Sequence, residues 1–292
     1  MSSLILKEFR DHKMYLLKKD KGISQTLKKG QKAYDKREFA FMELVRASIK
    51  EGDCCADIGA NIGFVTLQMA KLAGPTGEVY AIEPDKQNIE VLKKNREVNG
   101  FGKTITVEWC AMSDTCGDAD FFVSDKSNLG ALSKNPHCSG KTIKVPTMTV
   151  DSFFSHRRSP DFYKMDVEGH EVNILNGMHK EAKRAKSGTK ILMEVHPQFY
   201  SPELDMERAL WDMVYLGFNF KHVISAGVPI PDKFAEKGYT PTIAYDNFSR
   251  AVFSDMKPED AIEFCSKPHQ QWMPSKKKNS PKIVRAIMLE KE

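Results

Sequence analysis

The sequence predicts a doubly wound α/β fold with a mostly parallel sheet, and three observations predict it. Short apolar runs alternate with amphipathic helical stretches through most of the chain. A glycine-bearing bend, Gly59-Ala60-Asn61-Ile62-Gly63, directly follows the first apolar run. An acidic residue, Glu83, closes the second run. Alternation at this spacing builds βαβ units, whose crossovers force neighbouring strands to be parallel.

The elements follow in order. Phe39, Met42, Val45 and Ile49 recur at helical spacing, so a helix is expected from near Arg37 to Lys50-Glu51-Gly52-Asp53. Cys54-Cys55-Ala56-Asp57-Ile58 reads as a first buried strand. Ile62, Val65, Met69 and Leu72 then line one helix face, stopped at Gly74-Pro75. Glu78-Val79-Tyr80-Ala81-Ile82-Glu83 is a second strand, and Ile89 and Leu92 lie on a helix closed by Asn99-Gly100. Ile105-Thr106-Val107-Glu108-Trp109 is a third strand. Residues 117–150 carry short β-like runs and many turn residues, read as irregular or antiparallel excursions. Phe162-Tyr163-Lys164-Met165-Asp166-Val167 and Ile191-Leu192-Met193-Glu194-Val195 are the fourth and fifth strands, the latter followed by a helix over 202–216. Residues 218–224 and 251–254 are expected to complete the sheet as an antiparallel pair at its edge, with a Pro- and Gly-rich loop, 227–247, between them. The expected organisation is an accessory segment (1–36), one domain (37–266) and an exposed basic tail (267–292).

Composition narrows the class. With 292 residues and 41% hydrophobic content, the chain can bury a core without disulfides or zinc. The net charge of +5 is mild, and its lysine runs (Lys18-Lys19, Lys28-Lys29, Lys276-Lys277-Lys278) read as solvated surface. None of the six cysteines forms a C-x-x-C pair, and Cys54 and Cys55 sit in an apolar run as small hydrophobes. With no signal-like or membrane-spanning apolar stretch, the expected location is the cytoplasm.

The glycine bend selects the cofactor. A dinucleotide site needs G-x-G-x-x-G, but Ala60-Asn61 replaces the middle glycine. No Gly-Lys-Ser/Thr follows, which excludes a P-loop. Asp57, just before the bend, would repel pyrophosphate and suits a donor with an ammonium and a sulfonium, S-adenosylmethionine (SAM). Glu83 stands where a carboxylate can hold a ribose diol.

At this point the sequence resembles the FkbM family of SAM-dependent methyltransferases. The resemblance rests on Asp57-Ile58-Gly59-Ala60-Asn61-Ile62-Gly63-Phe64, Val79-Tyr80-Ala81-Ile82-Glu83-Pro84-Asp85, Leu92-Lys93-Lys94-Asn95 and Ala111-Met112-Ser113-Asp114. It continues through Val150-Asp151-Ser152-Phe153-Phe154, Lys164-Met165-Asp166-Val167-Glu168-Gly169-His170-Glu171 and Met193-Glu194-Val195-His196. The resemblance implies a Rossmann-like class I methyltransferase fold with a seven-stranded sheet, and O-methylation of sugars or natural products. It implies that Asp57, Gly59, Asn61 and Gly63 surround the methionine part of SAM, that Glu83 binds its ribose, and that Ala111 borders the adenine.

A hydroxyl acceptor titrates far above neutrality and benefits from a general base. The ends of the fourth and fifth strands bring Asp166, Glu168 and His170 towards Glu194 and His196. His196 is the expected base, with Asp166 or Glu194 orienting it or acting directly. His170 reads as a cap or packing residue, and Lys164 is given no role. A divalent metal such as Mg²⁺ on Asp166, Glu168, Glu194 and His196 is a weaker alternative, and no zinc spacing exists. Asp166-Val167-Glu168-Gly169 lacks the Pro-Pro of amine methylases. A ribose 2′-O-methyltransferase of RNA and a SAM-binding scaffold without catalysis remain the competing functions. Tyr239, Tyr245 and Phe248 could form an aromatic wall for an acceptor.

Overall fold

The computed structural model describes residues 4–132, 138–244, 250–273 and 278–292. The chain opens with the hairpin β1 (Leu4–Glu8) and β2 (Lys13–Leu17), then α1 (Ile23–Lys28) and α2 (Gln31–Ser48). Next come β3 (Cys54–Ile58), α3 (Phe64–Ala73), β4 (Glu78–Ile82), α4 (Lys86–Val98) and β5 (Ile105–Glu108). A side sheet follows: β6 (Ala111–Met112), β7 (Gly117–Ser124) and β8 (Cys138–Met148), then α5 (Val150–Phe153). The second half holds β9 (Phe162–Met165), α6 (Glu171–Asn176), α7 (His179–Arg184), β10 (Lys190–Glu194), α8 (Met206–Tyr215) and β11 (Phe218–Ser225). It ends with α9 (Asp232–Glu236), β12 (Ile243–Ala244), β13 (Ala251–Ser254), α10 (Pro258–Ser266), β14 (Gln271–Met273), β15 (Lys278–Ser280) and β16 (Val284–Lys291).

The main sheet has the order β12-β13-β11-β16-β10-β9-β3-β4-β5. Strands β10, β9, β3, β4 and β5 run parallel, as the alternating pattern requires. β16 runs antiparallel between β10 and β11, and β13 and β12 extend that side. The doubly wound, mostly parallel sheet is therefore as read. Each central strand splits its side chains between two cores, because the pleat alternates them. Tyr163 and Met165 join one core with Ile191, Met193 and Leu289, while Phe162 joins the other with Cys55, Leu192 and Met288.

The largest difference from expectation lies late in the chain. The segment read as an exposed tail contains β16, whose Ala286, Ile287, Met288 and Leu289 are buried in the sheet. Its apolar run was a strand signal, but the lysine-rich stretch before it suggested solvent. The expected 251–254 strand is present as β13, one position further out.

Local chemistry explains several boundaries. Asp85 caps α4 by accepting from the backbone N–H groups of Gln87 and Asn88. The second helix begins at Gln31 rather than near Arg37, with a non-helical backbone at Glu38 (φ −116°, ψ 18°). Residues 117–150 form much of the antiparallel side sheet. The early hairpin docks on α4: Asn95 Oδ1 accepts from the N–H of Tyr15 at 2.6 Å, and Asn99 Oδ1 from that of Lys13 at 2.9 Å. These bonds satisfy part of the open edge of β2.

The 227–247 stretch includes α9, with Phe234 buried. Tyr239 packs on the core and donates to Asp260 Oδ2 at 2.6 Å, so it is no wall for a ligand. Tyr245 and Phe248 lie outside the described residues, as do Lys276 and Lys277. Cys54, Cys55, Cys110 and Cys265 are buried free thiols. Among the described residues no helix is long and apolar enough to cross a membrane.

Candidate active site

A cleft opens at the carboxyl ends of β3, β4 and β9. Gly59, Asn61, Glu83, Ala111, Asp166 and Glu168 line it. Gly59 (φ 77°) makes the bend, and a Cβ there would stand 2.2 Å from the carbonyl oxygen of Asp166. The bend after β3 can lie this close to the backbone after β9 only because that side chain is missing. Gly63 (φ 91°) lies behind the cleft wall, where a Cβ would stand 2.2 Å from Leu92 Cδ1. Its role is close packing of α3 on α4.

Glu83 is buried, and each of its oxygens accepts a backbone hydrogen bond: from Asn61 at 2.8 Å and Asp85 at 3.0 Å. Burial pushes its carboxyl up to about 7 against those bonds. The Asn61 and Asn88 side chains both donate to the carbonyl of Ser127, at 2.8 and 3.0 Å. Ser127 is itself tied to Asp20 Oδ2 through its hydroxyl at 2.9 Å. The segment preceding α1 and the loop after β7 thus meet over the cleft.

Asp57 departs from the expected role. It is fully buried and does not line the cleft. Its Oδ1 pairs with Lys164 Nζ at 3.0 Å, and its Oδ2 accepts from the Thr66 hydroxyl at 2.6 Å. Lys164 Nζ also donates to the carbonyl of Gly59 at 2.7 Å. The pair fixes the glycine bend from below, so Asp57 offers no free charge to a ligand. The acidic groups facing the cleft are Glu83, Asp166 and Glu168. Lys164 lines the cleft too, but Asp57 already matches its charge. This wall fits a cationic donor better than a pyrophosphate. Sequence reasoning assigned Lys164 no role; the signal for it is that a lysine and an aspartate within continuous apolar strands must find partners, and the sheet register puts Asp57 opposite Lys164.

His196 also departs from expectation. Its Nδ1 meets Glu171 Oε1 at 2.7 Å, and its Nε2 faces Glu194 Oε1 at 3.2 Å and Glu168 Oε2 at 3.6 Å. Burial disfavours its charge, yet Glu171 and the other carboxylates raise its pKa. An imidazole that holds its proton among carboxylates is a poor base, and His196 does not line the cleft. Tyr200 completes this cage, donating to Glu171 Oε2 at 3.2 Å.

Glu194 is held by Lys282 Nζ at 3.0 Å and by the Arg285 guanidinium. Burial brings Lys282 down to about 8, against the raising effect of the surrounding carboxylates. Asp166, Glu194 and His196 bring potential metal-ligand atoms within 4.8 Å of one another. Lys282, Arg285 and the imidazole already supply positive charge there, and nothing in the geometry calls for Mg²⁺.

Asp166 follows β9 directly. Burial opposes its ionisation, but Lys164, His196 and Arg285 outweigh it and lower its pKa. Glu168, at positive φ (51°), is pushed up to about 7 by burial, with Asp166 adding to the rise and His196 opposing it. Sparsely populated backbone of this kind clusters at functional sites. His170 lines the cleft and bonds Ser113 Oγ at 2.9 Å.

A second chamber of about 520 Å³ adjoins the cleft, and the two share Ile23, Asn128 and Asp166. Glu194 lines only this second chamber. Its other walls come from α1, α2 and β16, including Glu38 and Arg285, which the sequence reading did not single out.

The sheet order and the cleft at its carboxyl edge have the arrangement of the class I SAM-dependent methyltransferase fold. The chain belongs to the FkbM methyltransferase family: the methyltransferase FkbM domain model matches residues 57–225, more than half of it. It is 25% identical over 157 residues to the hexuronic acid methyltransferase AglP of Haloferax volcanii, covering 53% of this chain and 61% of AglP. It is 30% identical over 119 residues to a probable ribosomal RNA small subunit methyltransferase A of Pyrococcus furiosus, covering 39% of this chain and 42% of the relative. The chain thus spans less than two thirds of these relatives. A solved FkbM methyltransferase from Methylobacillus flagellatus superposes with a TM-score of 0.39 at 17% identity, covering 70% of this chain and 43% of that one.

Proposed function

We propose that this methyltransferase is an O-methyltransferase acting on a hydroxyl of a sugar or similar polyol, with Asp166 at the reacting oxygen. One observation carries the reading: Asp166 lines both the cofactor cleft and the second chamber. It is the carboxylate where a donor in one and an acceptor in the other would meet. The name of the archaeal relative, a hexuronic acid methyltransferase, supports a sugar acceptor.

Gly59 and Asn61 would border the methionine part of SAM, with Gly63 packing behind them. Glu83 would take the ribose, and Ala111 would border the adenine. Asp57 acts indirectly, by holding Lys164 and through it the Gly59 carbonyl. SAM supplies a methyl group on a sulfonium, a strong electrophile without further activation.

The chain's own contribution is position and proton transfer. The lowered pKa of Asp166 keeps it anionic, so it can accept a hydrogen bond from the acceptor hydroxyl and orient a lone pair. The hydroxyl proton would pass to a carboxylate as the C–O bond forms and the methyl C–S bond breaks, its electron pair staying on sulfur as the thioether of S-adenosylhomocysteine. Glu168, lifted to about 7, is suited to hold that proton near neutral pH. His196 and Glu194 act as positioning residues, ordering the carboxylates around the junction.

The test is label transfer from methyl-labelled SAM to oligosaccharide, to RNA, or to neither. Label in oligosaccharide is expected. Label in RNA alone, or S-adenosylhomocysteine (SAH) binding without transfer, would overturn the reading. Asp166→Asn should cut turnover about 10²- to 10⁴-fold, the span of acid–base contributions, with SAH affinity little changed.

A further inference from the structure

The second chamber is built mostly by the flanks of the family-matched region. Ile23 comes from α1, Glu38 and Phe41 from α2, and Arg285 from β16, all outside residues 57–225. Within that region, Asp166 and Glu194 line it. The flanks therefore decide what enters beside the cofactor.

Glu38 organises that space. Regular helix geometry breaks at this residue, and its buried carboxylate bridges two arginines. Oε2 accepts from Arg250 Nη1 at 2.9 Å, and Oε1 from Arg285 Nη2 at 3.2 Å. The Arg285 guanidinium also holds Glu194. Protein carboxylates thus take up both guanidinium groups. Glu38, Asp166 and Glu194 line the chamber with Arg285, and Arg250 and Lys282 add to the pairing of Glu38 and Glu194.

An incoming carboxylate or phosphate finds the strong bidentate sites of the arginines already held by protein carboxylates. An incoming hydroxyl meets acceptors for its proton, because ionised carboxylates can only accept. Phe41 and Ile23 add apolar surface for a C–H face of a sugar ring. We propose that this chamber is the acceptor site and that Glu38 is its specificity-determining residue. It admits an uncharged polyol and excludes acceptors that carry a carboxylate or phosphate, in contrast to the hexuronic acid in the archaeal relative's name. The proposal rests on the O-methyltransferase reading above and adds the charge of the acceptor and the residue that sets it.

Two measurements test it on the full chain loaded with SAH. In the first, D-glucuronate is titrated into the parent, Glu38→Ala and Glu38→Gln, with D-glucose as the neutral control. The parent should show no saturable glucuronate uptake. Glu38→Ala, which removes the carboxylate that Arg250 and Arg285 share, should gain at least about tenfold in glucuronate affinity, the order of one charge-assisted contact. A merely structural salt bridge predicts lost stability and no such gain. Glu38→Gln keeps the side-chain volume and serves if the alanine variant does not fold.

The second measurement compares label transfer to neutral oligosaccharides with transfer to their uronate-bearing counterparts, and neutral acceptors should dominate. Saturable glucuronate binding by the parent, preferred transfer to acidic acceptors, or a folded Glu38 variant with intact SAH affinity and no anion gain overturns the proposal. Failure of the parent to bind SAH instead strikes the methyltransferase reading itself, so the two failures are distinguishable.

Discussion

Replacing Lys164 with methionine leaves the buried Asp57 carboxylate with the Thr66 hydroxyl as its remaining side-chain donor among the described residues. The two charged side chains are 5% and 0% exposed and lie 3.0 Å apart. This is the buried regime, where removing one partner costs about 3–5 kcal/mol, rather than the surface regime of about 0–1 kcal/mol. Gly59 also loses the donor on its carbonyl. At roughly 2–4 °C per kcal/mol for a domain of this size, the unfolding midpoint should fall by roughly 6–20 °C. The assay is urea or thermal denaturation of the parent, Lys164→Met, Asp57→Asn and the double variant, with SAH affinity by calorimetry. The double variant should recover much of the loss, because it leaves no lone charge inside. SAH affinity should weaken in Lys164→Met, since the glycine bend loses its anchor. A Lys164→Met protein within about 1 kcal/mol of the parent would refute the argument.

Three further outcomes are expected. Gly59→Ala forces a Cβ to within 2.2 Å of the Asp166 carbonyl oxygen at φ 77°; overpacking alone costs about 1–3 kcal/mol, visible as a lower denaturation midpoint with weakened SAH binding. Glu168 has a folded pKa of about 7 against an ordinary value of 4.5, so the stability it contributes is complete below about 4.5 and is lost as pH rises through about 7. Denaturation midpoints at pH 5 and pH 7.5 should therefore differ more in the parent than in Glu168→Gln, and equal differences would count against the shift. His196→Ala strips Glu171 and Glu194 of their imidazole and should cost about 3–5 kcal/mol in stability, while turnover per folded molecule falls less than in Asp166→Asn. The reverse order would restore His196 as the base.

Local pattern carried the parallel half of the sheet, since β3, α3, β4, α4, β5, β9 and β10 announce themselves by periodicity and by turn residues such as Gly74, Asn99 and Gly100, whereas β6, α5 and α7 were not read. Gly59 and Glu83 were legible for the same reason: they sit at strand ends, where a parallel sheet presents its ligand. Asp57 was placed on the correct strand but given the wrong neighbour, because pairing with Lys164 depends on sheet order rather than sequence distance. His196 was read as a base because its chemistry suits one, whereas Glu171, which pins its Nδ1, stands 25 residues away. Glu38 and Arg285 were not singled out, because they meet across 247 positions.

The placement of β16 has a consequence for biogenesis. During synthesis, β10 and β11 leave the ribosome well before residues 284–291, which must lie between them. Until that ribbon arrives, both partners keep raw edges of the kind that recruit neighbouring chains. Lys282 and Arg285 arrive with it, so Glu194 lacks both of these cations over the same interval. Docking of one late segment thus seals the sheet and neutralises the junction in a single event. A nascent chain stalled before it should be the species most dependent on chaperones.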